Sequence, residues 1–558
     1  MLHVHADEPG ADPTSEDDTA GPGVPVGDPR WNRIITVQRA VKALALLVIA
    51  AAVLTLLTSL SQHAIVNDSD TSTVVLEGFA MRHGNVLLHN WSLSLDSFWT
   101  VDVPFYALGT FIIGLRPLLV NVVPAFIGLG TVVAGIFAAR DDLRGRAVVV
   151  GGATVTALLI LPSHALSFFF LQGPWHIATG LWCLLGFIGL RNGRFGWGWC
   201  LAVLFLAAGL LGDVQALAFG VLPMFAAGLV AIARRRSWRG GVALISAAAA
   251  SVVVSEAVRE VSLKIGTFTF NESHHTATAS RMSDSIGHLL NWSAALFGVI
   301  SGPFGGPEIP LPLRLAHLIG LLVVLACVGF AAFEMVRSIV LGQTRIGDDE
   351  AHWRLDDLLL LGIVGDLGVF EVLTLSNNVL YARYLTVAVI FAIVLTGRVL
   401  GRASRRLRAG TNVRLVGVLG LVLVAAFSAE VGLELAAPIP AQPAIALDGF
   451  LSAHHLREGI GDYWAASAIT VQSDGEIAIR PVVANLKHKI VPDGRQAPST
   501  WYSGQHFQFL VYQSEPYGRV DAATVAGTFG APKTTWIIGQ YRVVVWSHPI
   551  TLTGPAFP

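Results

Sequence analysis

The chain has 558 residues, 53% hydrophobic and only 13% charged, where an ordinary soluble protein carries about 25% charged residues. A formal net charge of −1, with arginines gathered in short clusters between apolar runs and not along one basic face, gives no reason to expect nucleic acid as a partner. Cys183, Cys200 and Cys327 all fall inside apolar runs, so neither a disulfide framework nor a thiolate metal site is expected.

In chain order, the first thirty or so residues are rich in Pro, Gly, Asp and Glu and read as a disordered tail, taken to residue 38. The first apolar run starts only near Val41, too late for a secretory signal, so it is expected to stay as a helix. From there onward, apolar stretches recur at roughly the length that a bilayer core of about 30 Å demands. Eleven spans are predicted, near 41–61, 117–138, 147–165, 176–190, 197–211, 215–233, 241–258, 313–335, 357–375, 384–400 and 415–434. The fold class is therefore a polytopic α-helical membrane protein.

Cytoplasmic loops are enriched in Lys and Arg. Arg30, Arg33 and Arg39, then Arg140, Arg144 and Arg146, then Arg191 and Arg194, then Arg234 to Arg236 with Arg239, fall on one side of the predicted spans. Arg337, Arg345 and Arg354, and Arg402, Arg405, Arg406 and Arg408, fall on that side too. This places the N-terminus in the cytoplasm, the membrane domain over 39–435, and the long segments 62–116, 259–312 and 436–558 outside. The last segment opens with the linker APIPAQPAIA and continues with EIAIRPVV, FQFLVY, TWIIGQY and RVVVW, separated by Gly and Pro. It is predicted to be a small extracytoplasmic α/β domain over 436–558. No internal repeat is evident.

In the first outer segment, Val74, Val75, Leu76, Phe79 and Met81 follow Asp70 at helical spacing, and Gly84 and Asn85 end the pattern. This predicts a helix lying at the membrane surface. Asp68 and Asp70 stand at its start, where a carboxylate can cap free N–H groups. An acidic residue after the first span, a surface helix with Met81 and Gly84, a Trp-rich turn and the segment Thr100 to Tyr106 around Pro104 form a pattern. The pattern resembles that of GT-C fold glycosyltransferases, the superfamily that includes the protein mannosyltransferases and the aminoarabinose transferases. YARYL at 381–385 is similar to an Arg-Tyr element that opens a late helix in those enzymes. One departure is that Asp70 is followed by Thr71, where the best-known subfamilies have Glu.

The resemblance implies an enzyme of the cell membrane that moves a sugar from a polyprenyl-phosphate donor to an extracytoplasmic glycan, lipid or protein acceptor. Such a reaction needs a base for the acceptor hydroxyl and a cation for the leaving phosphate. Asp70 is the first candidate for the base and Asp68 the second. Asp102 and Asp96 either complete the acidic site or hold the acceptor. Arg383 is the leading phosphate ligand, with Tyr384 beside it and Arg116 as a second cation. Trp99, Tyr463 and Trp464 are candidates for stacking on a sugar, with core packing as the alternative. Asp366, Glu371 and Asp213 are acids in or near spans, where ionisable residues are costly. His164 and His176 flank a short outer turn, as interface anchors or cavity lining. His274 and His275 are adjacent, a poor spacing for one ion; no metal site is assigned, although the loop carboxylates would suit a divalent cation. The competing readings are a transporter or flippase, a polymerase or ligase of another membrane fold, and a non-catalytic scaffold of cell-envelope assembly.

Overall fold

The structure, a computed structural model, describes residues 29–94, 96–141, 143–234, 238–271, 279–300, 306–341, 350–372, 379–406, 411–514 and 518–552. Most of the expected disordered tail and the pair His274 and His275 lie outside those residues. The chain from Met1 to Ala52 and the chain from Val53 to Pro558 are two compact units; apart from the run of helix α1, everything below concerns the second.

Helix α1, Pro29–Ala64, leads to α2, Ser69–Arg82, strand β1, Trp91–Ser94, and α3, Val103–Ile113. The bundle continues through α4 (Leu119–Arg140), α5 (Arg146–Ile160), α6 (His164–Phe170), α7 (Ile177–Leu190) and α8 (Trp197–Gly212). A π-turn, Leu217–Val221, opens α9 (Leu222–Ala233), and α10 (Trp238–Lys264), β2 (Thr269–Asn271) and α11 (Ala279–Leu296) follow. Then come α12 (Leu311–Leu341), α13 (Glu350–Val372), a 3₁₀ helix (Val379–Leu385), α14 (Thr386–Arg406) and α15 (Thr411–Ala436). A helix stands over each of the eleven predicted spans. Among the described residues six are long and apolar enough to cross a bilayer unaided, and seven if α5 and α6 count as one span. Of the others, α7 has 14 residues and α8 has 16, about 21 and 24 Å of helix, while α13 has 23 residues and several acids. The protein is a multi-pass membrane protein.

The third predicted span, 147–165, is not one straight helix. α5 ends at Ile160, and α6 leaves it at 88°. Pro162 cannot continue the ladder, and the Ser163 hydroxyl caps the new helix by accepting from Leu166 N at 3.1 Å.

α2 forms where the hydrophobic spacing predicts it, and its start is a capping box. Asp68 accepts from Thr71 N at 2.9 Å, and Thr71 Oγ1 in turn accepts from Asp68 N at 3.1 Å. The helix packs tightly on α3. A methyl group on Gly78 would come within 2.6 Å of the Tyr106 backbone.

After α15, α16 (Pro443–Ala453), β3 (Glu458–Gly461), α17 (Tyr463–Gln472), β4 (Ala478–Ala484), β5 (Ile490–Pro492) and β6 (Ala497–Pro498) lead to β7 (Phe507–Gln513), α18 (Ala522–Phe529), β8 (Thr534–Ile538) and β9 (Tyr541–Ile550). Six of these strands make a mixed sheet in the order β5-β4-β3-β7-β9-β8, with β3 parallel to β4 and β7. The four predicted strand runs fall on β4, β7, β8 and β9. β3 escapes prediction because EGIG has a single strand-forming side chain, Ile460, set between two glycines. Gly459 in it lies flat against the Phe509 ring, where an added methyl would be 2.4 Å away. Leu447, Ile469, Phe509 and Val543 fill the face beneath α16 and α17.

A second sheet is small and positions the site. β1 pairs in parallel with β2, and antiparallel with β6. One strand thus comes from each of the three long segments predicted to be outer, and hydrogen bonding holds all three on one side. α17 also packs on α2, where Thr73 Oγ1 donates to Ser467 Oγ at 2.9 Å.

Candidate active site

Where these segments meet, a mostly polar cavity of about 660 Å³ opens. Its walls carry Asp70 from α2, Asp96 and Phe98 after β1, Trp175 and His176 before α7, Tyr381 and Arg383 from the 3₁₀ helix, and Tyr463, Arg495 and Gln496 from the C-terminal part. Asp70, Asp96, Arg383 and Tyr463 are sequence-predicted, and the fold brings these four together from positions as much as 393 residues apart.

Asp70 sits in the first turn of α2, where the helix end favours a negative charge. The Tyr463 hydroxyl donates to Asp70 Oδ1 at 2.6 Å and also meets the Gln496 side-chain amide. Tyr463 is the first residue of α17, and Asp462 caps that helix by accepting from Ala465 N at 3.1 Å. Tyr463 therefore reaches the site through its hydroxyl, not as a stacking ring. Its partner Trp464 packs edge-on to it at 5.1 Å and does not line the cavity.

Arg383 lies over the rings of Trp175 at 5.5 Å and Tyr384 at 5.0 Å. It donates to the Tyr384 hydroxyl at 3.1 Å, while its buried Nε meets no hydrogen-bond partner among the described residues. A planar donor group held by ring faces at the cavity wall suits a phosphate oxygen.

Asp96, His176 and Asp213 converge, with one ligand atom of each within 4.8 Å of the others. Burial, and next the Asp213 carboxylate, push Asp96 up to about 7. Asp213 is fully buried and already accepts from His176 Nδ1 at 2.7 Å, Thr179 Oγ1 at 2.7 Å and Gln215 N at 2.9 Å. Both of its oxygens accept from protein donors, so Asp213 is the hub of a hydrogen-bonded network that holds the His176 ring.

The remaining candidates lie elsewhere. Asp68 is the cap described above, and burial with Asp70 next to it pushes its carboxyl up to about 7. Asp102 is buried, interacts with Glu77 and Tyr106 and does not line the cavity, and burial raises it to about 8. Trp99 donates to Val86 O at 2.9 Å and lines a separate apolar groove. Arg116 is exposed and pairs with Asp474. Asp366 accepts from Ala388 N at 2.8 Å and so caps α14. His164 pairs with Glu434 at 3.1 Å, away from the cavity lining.

Sequence reading missed Trp175, Arg495 and Gln496, gave Tyr381 only as part of the YARYL element, and gave His176 only as an anchor or lining residue. Arg495 and Gln496 sit in a loop without periodicity, and only the pairing of β6 with β1 carries them to the site.

No protein-family model matches the chain, and no curated protein matches it. Among solved structures it is similar to ArnT from Cupriavidus metallidurans. Against the apo state the identity is 14% and the TM-score 0.41, covering 91% of this chain and 98% of that one. Against ArnT bound to undecaprenyl phosphate the identity is 11% and the TM-score 0.40, covering 90% and 98%.

Proposed function

We propose that the protein is a membrane glycosyltransferase that takes a sugar from a polyprenyl-phosphate donor and passes it to a glycan, lipid or protein acceptor on the non-cytoplasmic side. The observation that carries this reading is the pairing, in one cavity, of a carboxylate held by a hydroxyl and an arginine held by ring faces. The motif resemblance in the first outer segment supports it independently. So does the meeting of all three predicted outer segments on one side.

In this reading the acceptor O–H gives its proton to Asp70 as its oxygen bonds to the sugar's anomeric carbon. The bond from that carbon to the phosphate oxygen breaks, and its electron pair leaves with the lipid phosphate. Arg383 stabilises the charge that gathers there. Asp96 lines the acceptor side.

The test uses the full chain reconstituted in vesicles with labelled polyprenyl-phosphate sugars. Wild type is expected to release the label from the lipid, Arg383→Ala to lose at least about 10²-fold in rate, and Arg383→Lys to recover part, since the planar fork is gone. Equal rates in all three would remove Arg383 from the reaction. No release with any donor, together with vectorial movement of the lipid itself, would favour a flippase.

A further inference from the structure

His176 is a cavity residue for which the transfer scheme gives no role. It is 2% exposed and precedes α7 with φ of 67°. Side chains other than Gly seldom adopt that left-handed conformation, and such residues gather at functional sites. Its Nδ1 lies 2.7 Å from Asp213 Oδ2. A carboxylate facing it can only accept, so Nδ1 carries a hydrogen and Nε2 is the nitrogen left for the cavity. A ring protonated there as well has its charge compensated by Asp213 and offers an N–H to a ligand.

The position relative to Arg383 is what gives this N–H a use. The Tyr384 ring lies 5.0 Å from the His176 ring and 5.0 Å from the Arg383 guanidinium. Trp175, next to His176 in the chain, supports Arg383 from another direction. The histidine and the arginine thus flank one tyrosine, both facing the same cavity. The charged and titratable groups interacting with His176 are Asp213 from the turn after α8, Asp96 after β1, Asp102 before α3, Asp366 of α13 and Arg383 of the 3₁₀ helix.

We propose that His176, held by Asp213, is a second phosphate contact that works with Arg383 on the donor and on the released polyprenyl phosphate. The inference rests on the lipid-phosphate reading given above. When the bond from the anomeric carbon to oxygen breaks, its electron pair adds a negative charge to the phosphate, and two donors on different elements share that charge. Asp213 touches no ligand in this scheme and acts as a positioning residue. Its tight hydrogen bonding to Thr179 and Gln215 keeps the ring turned.

The experiment measures equilibrium binding of undecaprenyl phosphate and of undecaprenol to the purified full chain. Wild type is expected to prefer the phosphate. His176→Asn keeps a residue that tolerates positive φ and is expected to lose about tenfold in affinity for the phosphate lipid, about 1.4 kcal/mol, with undecaprenol unchanged. Asp213→Asn is expected to show a smaller loss with the same selectivity, which a general loosening of the fold would not produce. If His176→Asn does not fold, Asp213→Asn decides alone. Full phosphate affinity in a folded variant, or an equal loss for both lipids, overturns the inference. Loss in Arg383→Ala with none in His176→Asn overturns it while the lipid-phosphate reading stands. A wild type that does not distinguish the two lipids overturns both.

Discussion

Two groups of buried charges sit at opposite ends of α14 and are built in opposite ways. At its C-terminal end, Arg398 is 1% exposed and bonds to Asp356, which also holds Arg402, and to Ala138 O. Arg234 grips Asp357 with two nitrogens and donates to Ser338 Oγ at 2.7 Å. Every charge there has an opposite charge and hydrogen bonds to spare. At the N-terminal end, Asp96 Oδ1 and Arg383 Nε of the cavity wall, and Asp102 Oδ2 outside it, meet no hydrogen-bond partner among the described residues. Burying a polar group without a partner costs free energy. The first cluster ties α13 and α14 together, whereas the second, on which the proposed function builds, leaves single buried polar atoms unmatched.

That contrast can be broken by mutation. The largest effect on folding is expected from Arg398→Ala, which strands Asp356 with one partner fewer. Loss of a buried partner costs about 3–5 kcal/mol, so little folded protein should be recovered by size exclusion, whereas Arg383→Ala should purify normally. A well-folded Arg398→Ala would remove the distinction between the two ends.

A smaller effect concerns pH. Burial raises Asp102 to about 8 and Asp96 to about 7, against an ordinary value of about 3.9. Carboxyls raised in the folded state ionise first in the unfolded chain. Their stabilisation is complete below about pH 4 and is lost as pH rises towards about 8. The melting temperature should therefore fall between pH 6 and pH 8. Asp102→Asn, which copies the neutral acid, should flatten that fall by a few degrees. Parallel melting curves for the two proteins would mean that Asp102 is ionised in the fold.

The smallest effect is at the cap. Asp68→Ala removes the acceptor for Thr71 N and should cost about 1 kcal/mol, visible as a small drop in melting temperature, with sugar transfer largely kept. Transfer lost with stability intact would move Asp68 from the cap into the chemistry.

The membrane architecture was legible because length and hydropathy are local properties. Every predicted span holds a helix, and the four alternating runs after residue 436 are strands. The bend at Pro162 is also written in the sequence, as a proline followed by a capping serine, but the apolar run that continues through it has the length of a single span. The site was legible only in part. Asp70, Asp96 and Arg383 stand beside recognisable elements, whereas His176 and Asp213 owe their meaning to a mutual distance of 2.7 Å across 37 residues. Two-residue β6, far from β1 in sequence, brings in Arg495 and Gln496. Such pairing is set by tertiary packing and leaves no period to read.

The central claim, that the open cluster is catalytic, is tested most directly at Asp70. Asp70→Asn keeps the shape of the side chain and its place in the first turn of α2, and removes only the charge. In vesicles holding labelled polyprenyl-phosphate sugar, it should leave the melting temperature within a degree or two and reduce transfer by about 10²–10⁴-fold. Transfer at the wild-type rate by a folded Asp70→Asn protein would contradict the account.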